Sequence, residues 1–312
     1  MNKVLVTGST GFIGQALCNE LTRRGVDTVR TSRQRRTEGL IPVGDINGAT
    51  NWYEALTGCD TVFHLAARVH VMNDTSDNPL ETYRVVNTEG TLSLAKQAVQ
   101  AGVKQFVFVS SIKVLGEEGH FTENSIPNPT DPYGVSKLEA EQALIELGAK
   151  TGMSVKIIRP PLVYGPGVGA NFLRLLNAVK KGIPLPLALA NNKRSLIFVG
   201  NLVDALIACG TSEQKGERIY LIDDGRPVST AELIEAMAEA LQVKPKLLAL
   251  PTSLIKVLAT LLGKKQAAQR LLGTLTVDST LIMRDLNWKP PYSMQQGLHA
   301  TAQWPNPYPL LK

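Results

Sequence analysis

Short apolar runs alternate with longer amphipathic stretches through the first half of the chain. Six of the runs are rich in β-branched residues and bounded by turn residues, which is typical of strands: KVLVTG, DTVRTS, LIPVG, DTVFHLA, QFVFVSS and SVKIIRP. Two amphipathic stretches between them, FIGQALCNELTRRG and PLETYRVVNTEGTLSLAKQAVQAG, end at a glycine, the residue type that commonly follows a helix. The alternation predicts a parallel sheet with helices on both faces and a ligand site at the carboxyl ends of its strands.

The pattern changes near residue 165, where GPGVGANFLRLLNAVKKGIPLPL surrounds one helix with Gly and Pro. SLIFVGNLVDALIACG and ERIYLIDDG indicate returns to the sheet, and the remainder is mostly helical. We therefore predict an α/β fold with a Rossmann-type doubly wound parallel sheet, formed by residues 1–165 plus 195–225. A smaller, mostly helical lobe is predicted from residues 166–194 plus 226–312. Within it, the apolar stretch at 250–263 is interpreted as a packed helix rather than a membrane or dimer surface.

Composition narrows the class of protein. The chain has 312 residues, of which 44% are hydrophobic and 19% charged, as in an ordinary globular enzyme. Its net charge of +6 is dispersed, which disfavours a nucleic-acid partner and favours a positive cleft for an anionic small molecule. The three Cys and four His residues lack disulfide or ligand spacing, so no metal is expected. Without a signal peptide or a run of ~18 apolar residues, we expect a cytoplasmic protein with no membrane span.

The first strand is followed at once by the turn TGSTGFIG, which spaces Gly8, Gly11 and Gly14 three residues apart. A chain that turns sharply here, approaches a diphosphate with its backbone and then packs a helix on the sheet requires residues without a Cβ. The helix that begins near Phe12 points its free N–H groups at the same place. Because the turn has a strand before it and a helix after it, the sequence predicts a dinucleotide-binding site.

A second group of residues has the character of a proton-transfer site. Tyr133 and Lys137 in PYGVSKLEAEQ are four residues apart and lie on one face of a predicted helix. A neighbouring ammonium and an oxidised nicotinamide would both favour the Tyr133 phenolate, whose ordinary pKa is ~10. Ser111, at the end of the fifth strand, can hydrogen-bond the same substrate oxygen. A Tyr–Lys pair alone is most often an amphipathic surface pair; the glycine turn and Ser111 make this one a candidate site.

The motifs TGSTGFIG, HLAA, SSIKVLG, PYGVSK and RPPLVYGPG together resemble the extended short-chain dehydrogenase/reductase family, especially its nucleotide-sugar 4-epimerases and 4-keto-sugar reductases. The similarity runs from Met1 to about Trp304. It implies a catalytic triad of Ser111, Tyr133 and Lys137. The cofactor-binding residues that it implies are Gly8, Gly11, Phe12, Ile13, Gly14, Asp45, Ile46, Leu65, Ala66, Ala67, Asn87, Tyr133, Lys137 and Pro160. The substrate-binding residues that it implies are Ser111, Asn171, Arg194 and, on a poorer local match, Arg270.

The chain departs from the family pattern at the end of its second strand. VRTSRQRR has no carboxylate where relatives that use NAD place one; Ser32 stands there, followed by Arg33. The acid would bind the ribose hydroxyls of NAD and repel the 2′-phosphate of NADP, and an arginine can form a forked pair with that phosphate. Ser32 and Arg33 therefore favour NADP(H), while NAD(H) stays open. Arg35 and Arg36 are either added positive field or solvated loop charge.

Three functions remain open at this point. The preferred one is NADPH-dependent reduction of a UDP-4-keto sugar for surface polysaccharide synthesis, such as O-antigen or capsule. The alternative is a UDP-glucose or UDP-N-acetylglucosamine 4-epimerase with tightly held NAD, and the third is a non-catalytic NAD(P)-binding sensor. Reduction is preferred because it consumes the reducing equivalents that NADPH supplies. The expected partner is a UDP-linked sugar, and a homodimer is left open.

Overall fold

The structure, a computed structural model, describes residues 1–33, 39–69, 78–263 and 265–304. Its strands are β1 (Lys3–Thr7), β2 (Asp27–Ser32), β3 (Ile41–Pro42), β4 (Thr61–His64), β5 (Gln105–Val109), β6 (Gly119–Phe121), β7 (Ser154–Arg159), β8 (Leu162–Tyr164), β9 (Leu196–Phe198), β10 (Arg218–Leu221) and β11 (Leu275–Val277). Seven of them form one parallel sheet in the order β10-β7-β5-β4-β1-β2-β3. The predicted Rossmann-type doubly wound sheet is confirmed.

Helices follow the strands in alternation. They are α1 (Phe12–Arg23), α2 (Tyr53–Leu56), α3 (Pro79–Arg84), α4 (Gly90–Gln100), α5 (Pro132–Thr151), α6 (Ala170–Lys180), α7 (Val199–Thr211), α8 (Thr230–Ala240), α9 (Thr252–Leu261), α10 (Lys265–Leu272), α11 (Thr280–Leu286) and α12 (Met294–Gln303). A π-helical turn, Val85–Glu89, joins α3 to α4, so the long helical stretch of the sequence forms one interrupted path. Among the described residues, no helix has both the length and the apolar character needed to cross a bilayer.

The central strands are buried on both faces, which explains their nearly continuous apolar sequences. Alternate residues of β1 belong to opposite cores: Val4 and Val6 pack with α1 and α7, whereas Leu5 packs with α4 and α5. The first of these cores continues into the C-terminal half through residues such as Leu176 and Ile282. The two predicted lobes therefore share one core, which holds the strand ends close to the smaller lobe.

Two expectations for the second half of the chain fail. The run at 195–198 was expected to return to the central sheet, but β9 pairs with β8 in a separate two-stranded sheet; only β10 returns. The stretch 250–263 was expected to be a packed helix, and this fails in part: α9 packs on α10 and, through Ile255, on the core, but none of its residues is fully buried. Apolar content alone did not distinguish a buried helix from an exposed one, because both carry the same side chains.

Candidate active site

The glycine turn lies between β1 and α1, at the carboxyl edge of the sheet. Gly8 has a φ of +66°, and a Cβ on it would lie 2.8 Å from the backbone nitrogen of Ala66. A Cβ on Gly14 would lie 2.1 Å from the carbonyl oxygen of Gly8. Gly11 is the N-cap of α1 and offers no capping side chain, so the first N–H groups of the helix, from Phe12 and Ile13 onward, can receive a phosphate. The turn fits the diphosphate of a dinucleotide.

The loop after β4 is held against this turn by Thr7. Its Oγ1 accepts hydrogen bonds from the backbone N–H groups of Leu65 and Ala66, at 3.2 Å each, and Ala67 follows them. Thr7 Oγ1 also lies 2.6 Å from Nδ1 of His64, whose Nε2 lies 2.8 Å from Oγ1 of Thr91. Burial lowers the pKa of His64 to about 3, with the Lys137 charge adding to the effect, so the ring is neutral. His64 therefore links β1, β4 and α4.

The three residues of the predicted triad are brought together by β5 and α5. Ser111 follows the end of β5, and Asp131 caps α5 by accepting a hydrogen bond from the N–H of Gly134 at 2.7 Å. That helix start places Tyr133 in its first turn and Lys137 one turn later. Burial raises the pKa of Tyr133 to about 12, and a hydrogen bond between Tyr133 and Ser111 opposes the shift. At neutral pH the Tyr133 hydroxyl is protonated and adjacent to Ser111.

Lys137 lies beneath the site in a mostly apolar environment. It is 1% exposed, and its Nζ is 3.8 Å from the ring centroid of Phe108. Burial lowers the pKa of Lys137 to about 7, while the Glu141 carboxylate, one turn further along α5, favours the charged form. Glu141 in turn accepts from Arg159 at 2.5 Å and pairs with Ser110. Sequence reasoning missed the buried ion pair between Glu141 and Arg159, because the two residues are 18 positions apart in the chain.

We expect Lys137→Met to change how stability depends on pH. The unfolded lysine keeps its proton up to a pKa near 10.5, whereas the folded one loses it near 7. Between these values the unfolded state binds more protons, so raising the pH stabilises the wild type. The melting temperature of the Met variant relative to the wild type should therefore be highest at pH 7 or below. It should fall by at least about 2 °C as the pH rises to 10. If Lys137 instead stays charged in the folded protein up to pH 10, calorimetry would show a difference in melting temperature that does not change with pH.

Asn87 is buried in the π-helical turn and links three parts of the site. Its Oδ1 accepts from the backbone N–H of Arg68 at 2.8 Å, and its Nδ2 donates to Oγ of Ser136 at 3.0 Å. Ser136 donates to the carbonyl oxygen of Tyr133 at 2.8 Å. Asn87 thus fixes the loop after β4 relative to the helix that carries the triad. A π-helical turn at such a position is typical of functional sites.

The remaining predicted cofactor residues lie along the same edge of the sheet. Ser32 is the half-buried last residue of β2, and Arg33 after it is exposed; Arg35 and Arg36 lie outside the described residues. Asp45 follows β3 and is exposed. Ile46 packs closely on Gly90, because a Cβ on Gly90 would lie 2.5 Å from Cγ2 of Ile46.

On the other side of the triad, Pro160 follows β7 and its carbonyl oxygen accepts from the N–H of Ile112 at 3.0 Å. This bond ties the end of β7 to the short turn that follows Ser111.

A cavity of about 770 Å³ adjoins the triad, within the usual range for small-molecule sites. It is lined by Tyr133 and Pro160 together with the four predicted substrate residues, Ser111, Asn171, Arg194 and Arg270. Its charged lining residues are Lys113, Arg174, Arg194, Arg270 and Glu117. With four basic side chains and one carboxylate, the electrostatic potential in the cavity is positive, which suits the binding of a diphosphate.

Sequence reasoning assigned no role to Lys113, Arg174 and Glu117. Arg174 had a signal, since it lies three residues after Asn171 on α6. Lys113 pairs with Asp131 and, at 3.0 Å, with Glu117.

Arg194 and Arg270 approach the cavity from different elements. Arg194 is held by backbone pairing with Val228 and by a hydrogen bond from its Nη1 to the carbonyl oxygen of Gly273 at 3.1 Å. Burial lowers the pKa of Arg194, although Glu118 and Glu117 favour its charge. Arg270 lies on α10, with its Nη2 4.0 Å from Oε1 of Glu117. Arg270 thus lies on the cavity wall, although its surroundings in the sequence match the family pattern poorly.

Fold and site together define a short-chain oxidoreductase of the extended type, with a dinucleotide turn, a Ser–Tyr–Lys group and a cavity beside that group. Comparison with known proteins is more specific. The chain belongs to the NAD dependent epimerase/dehydratase family, whose model matches residues 4–222. It is therefore an enzyme of a nicotinamide-dependent class, and the resemblance seen in its motifs is confirmed.

Individual relatives cover nearly the whole chain. A UDP-glucose 4-epimerase of Vibrio cholerae is 44% identical over 309 residues, which span 96% of this chain and 94% of the relative. An N-acetyl-α-D-glucosaminyl-diphospho-ditrans,octacis-undecaprenol 4-epimerase of Escherichia coli O157:H7 is 27% identical and spans 97% and 95%. The solved structure of MoeE5 in complex with UDP-glucose and NAD is 29% identical, with a TM-score of 0.76 and coverage of 97% and 98%.

Proposed function

We propose that the protein is a 4-epimerase of a UDP-linked hexose or N-acetylhexosamine. The observation that carries the proposal is the cavity that Ser111 and Tyr133 share with Arg194, because it combines a proton-transfer group with a cationic site for a diphosphate. Similarity to the Vibrio cholerae epimerase supports this reaction over the reduction that the sequence favoured. Retention of all three triad residues in a family of enzymes argues against a non-catalytic sensor.

The cofactor site that we propose follows the carboxyl edge of the sheet. The glycine turn would hold the diphosphate, Asp45 and Ile46 would lie at the adenine, and Ser32 and Arg33 at its ribose. Residues 65–67 would line the path between the two ends, with Asn87 supporting it. Tyr133, Lys137 and Pro160 would lie at the nicotinamide end. The close backbone approach at Gly8 and Gly14 supports this placement, because it leaves a cradle that a Cβ would fill.

In the proposed reaction Tyr133 exchanges a proton with the sugar 4-oxygen, and Ser111 holds that oxygen by a hydrogen bond. A bound nicotinamide supplies hydride acceptance and return at C4 and, when oxidised, a positive charge that favours the Tyr133 phenolate. Lys137 adds positive charge one helical turn below. The cationic residues of the cavity hold the diphosphate, so that the sugar alone turns between the two half-reactions.

NADPH-dependent reduction of a UDP-4-keto sugar is the second candidate, and a specific observation favours it. The carboxylate that would exclude a 2′-phosphate is missing at Ser32, and the exposed Arg33 follows. Either reaction would serve the synthesis of surface polysaccharides, which are built from nucleotide-linked sugars.

Incubation of the purified protein with UDP-glucose, without added nucleotide, separates the candidates. An epimerase forms UDP-galactose, detected by chromatography, and releases retained dinucleotide on denaturation, identified by mass spectrometry. A reductase forms no product until both NADPH and a 4-keto sugar are supplied. Absence of UDP-galactose and of UDP-N-acetylgalactosamine from the matching substrates, even with NAD added, would contradict the epimerase proposal.

Arg194→Ala is expected to weaken the binding of UDP by roughly ten- to a hundred-fold, because a charge-assisted bond to a phosphate contributes ~1.5–3 kcal/mol. NADH binding should change little. Lys193→Ala is the matched control, since this neighbouring side chain is half exposed and pairs with Glu232 at 3.2 Å. Isothermal titration measures both affinities. If both variants bound UDP as tightly as the wild type, Arg194 would not be part of the diphosphate site.

A further inference from the structure

Helix α9 exposes an apolar stripe that the proposed function does not use. The exposed fractions of its large apolar side chains are 45% for Leu254, 56% for Val257, 45% for Leu258 and 78% for Leu261, with 71% for Leu262 just beyond it. Positions 254, 257, 258 and 261 recur at the spacing of one helical face. Ile255 packs toward the core and anchors the helix. A contiguous apolar face of this kind marks a docking surface.

The chain segment that contains this helix carries charged residues of a single sign. No acidic residue occurs between Glu239 and Asp278, whereas six basic residues do: Lys244, Lys246, Lys256, Lys264, Lys265 and Arg270. Lys244, Lys246 and Lys256 are exposed.

A neighbouring strip has the same character. Leu185 accepts a backbone bond from Leu248 at 2.8 Å, and residues 180–190 contain two lysines and no acid. Ile183, Leu189 and Leu248 are also exposed, by 46%, 50% and 47%. We call the two apolar and basic strips together the α9 surface (residues 180–189, 244–248 and 254–262).

We propose that the α9 surface docks on an anionic lipid bilayer. An exposed apolar stripe bordered by lysines, without acids, is the composition of helices that lie in the membrane interface. A helix of ten residues is too short to span the bilayer, so it would lie along it. A second copy of this chain fits the surface less well, because a two-fold contact would bring two surfaces of the same positive charge together.

Docking there would place the catalytic cavity next to the bilayer. Helix α10 packs against α9 and contributes Arg270 and Leu271 to the cavity wall. Leu271 is itself 38% exposed. The enzyme would then work at the membrane surface. The docking is independent of the reaction at C4, and each can be tested without the other.

Flotation of the full-length protein with vesicles of phosphatidylethanolamine and phosphatidylglycerol tests the proposal. The wild type should float with these vesicles, should not float with pure phosphatidylcholine, and should be released by added salt. Two double variants, Val257→Glu with Leu261→Glu and Lys244→Glu with Lys256→Glu, should each bind at least about tenfold more weakly. Ile126→Glu and Lys96→Glu are matched controls, because both residues are exposed outside the α9 surface, and they should float like the wild type.

Turnover of UDP-glucose without vesicles should be the same in all of these variants, which separates a failure of docking from a failure of the proposed reaction. A wild type that stays with the unbound fraction, or variants that float as well as it does, would overturn the proposal. So would light scattering that shows a wild-type dimer converted to monomers by Val257→Glu with Leu261→Glu. In that case a second copy covers the surface.

Discussion

Tyr133→Phe should reduce kcat by at least about 10²-fold, and by up to about 10⁴-fold, the range that general acid–base catalysis contributes. The ring would still pack on Tyr83, whose centroid lies 6.1 Å away, so the local structure is kept. Only the hydroxyl that is hydrogen-bonded to Ser111 is removed. Cofactor affinity, measured by fluorescence titration with NADH and NADPH, should therefore stay within about threefold of the wild type.

Tyr83→Phe is the matched control for this result. It also removes a phenolic hydroxyl, one that donates to the carbonyl oxygen of Val69 at 3.2 Å, but not one that lines the cavity. Its kcat should remain within a few-fold of the wild type. If Tyr133→Phe kept most of its kcat, proton transfer would have to be assigned to another group, and the proposed mechanism would fail.

The order of elements and the central sheet were predictable because their signals are local. Apolar runs and glycine caps indicate where strands and helices begin and end, and the turn at Gly8 has a positive φ and no room for a Cβ. The four-residue spacing of Tyr133 and Lys137 placed them on one face for the same reason. These features depend on residues close together in the chain.

The parts that sequence reasoning missed depend on residues far apart in the chain. Glu141 is held by Arg159, 18 residues away, and Glu117 approaches Arg270 only after the lobe has folded. The exposure of α9 depends on which of its faces the neighbouring elements cover, and the apolar sequence of the helix does not indicate this. The reaction was also beyond sequence reasoning, because epimerases and reductases share the triad and differ in what they do with the cofactor afterwards.

Two substitutions at the end of β2 should change the cofactor selectivity of the protein strongly. Ser32→Asp together with Arg33→Asn should shift the ratio of NADPH to NADH affinity toward NADH by about a hundredfold or more. The new carboxylate repels the 2′-phosphate and accepts the ribose hydroxyls, while the guanidinium that would pair with the phosphate is lost. Each half should contribute ~1–3 kcal/mol. Titration of both cofactors to the wild type and the variant measures the shift.

The same titration weighs the two candidate reactions. A wild type that prefers NADPH, with a preference that added salt weakens because the charge of the exposed Arg33 is screened, would favour the second candidate, reduction. Arg23→Asn is the control, since this arginine is also exposed but pairs with Glu20 on α1, and it should leave the ratio unchanged. If the wild type holds NAD more tightly than NADP and the double variant does not move the ratio, Arg33 is surface charge. Reduction then loses the observation that favours it, and epimerisation with retained NAD stands alone.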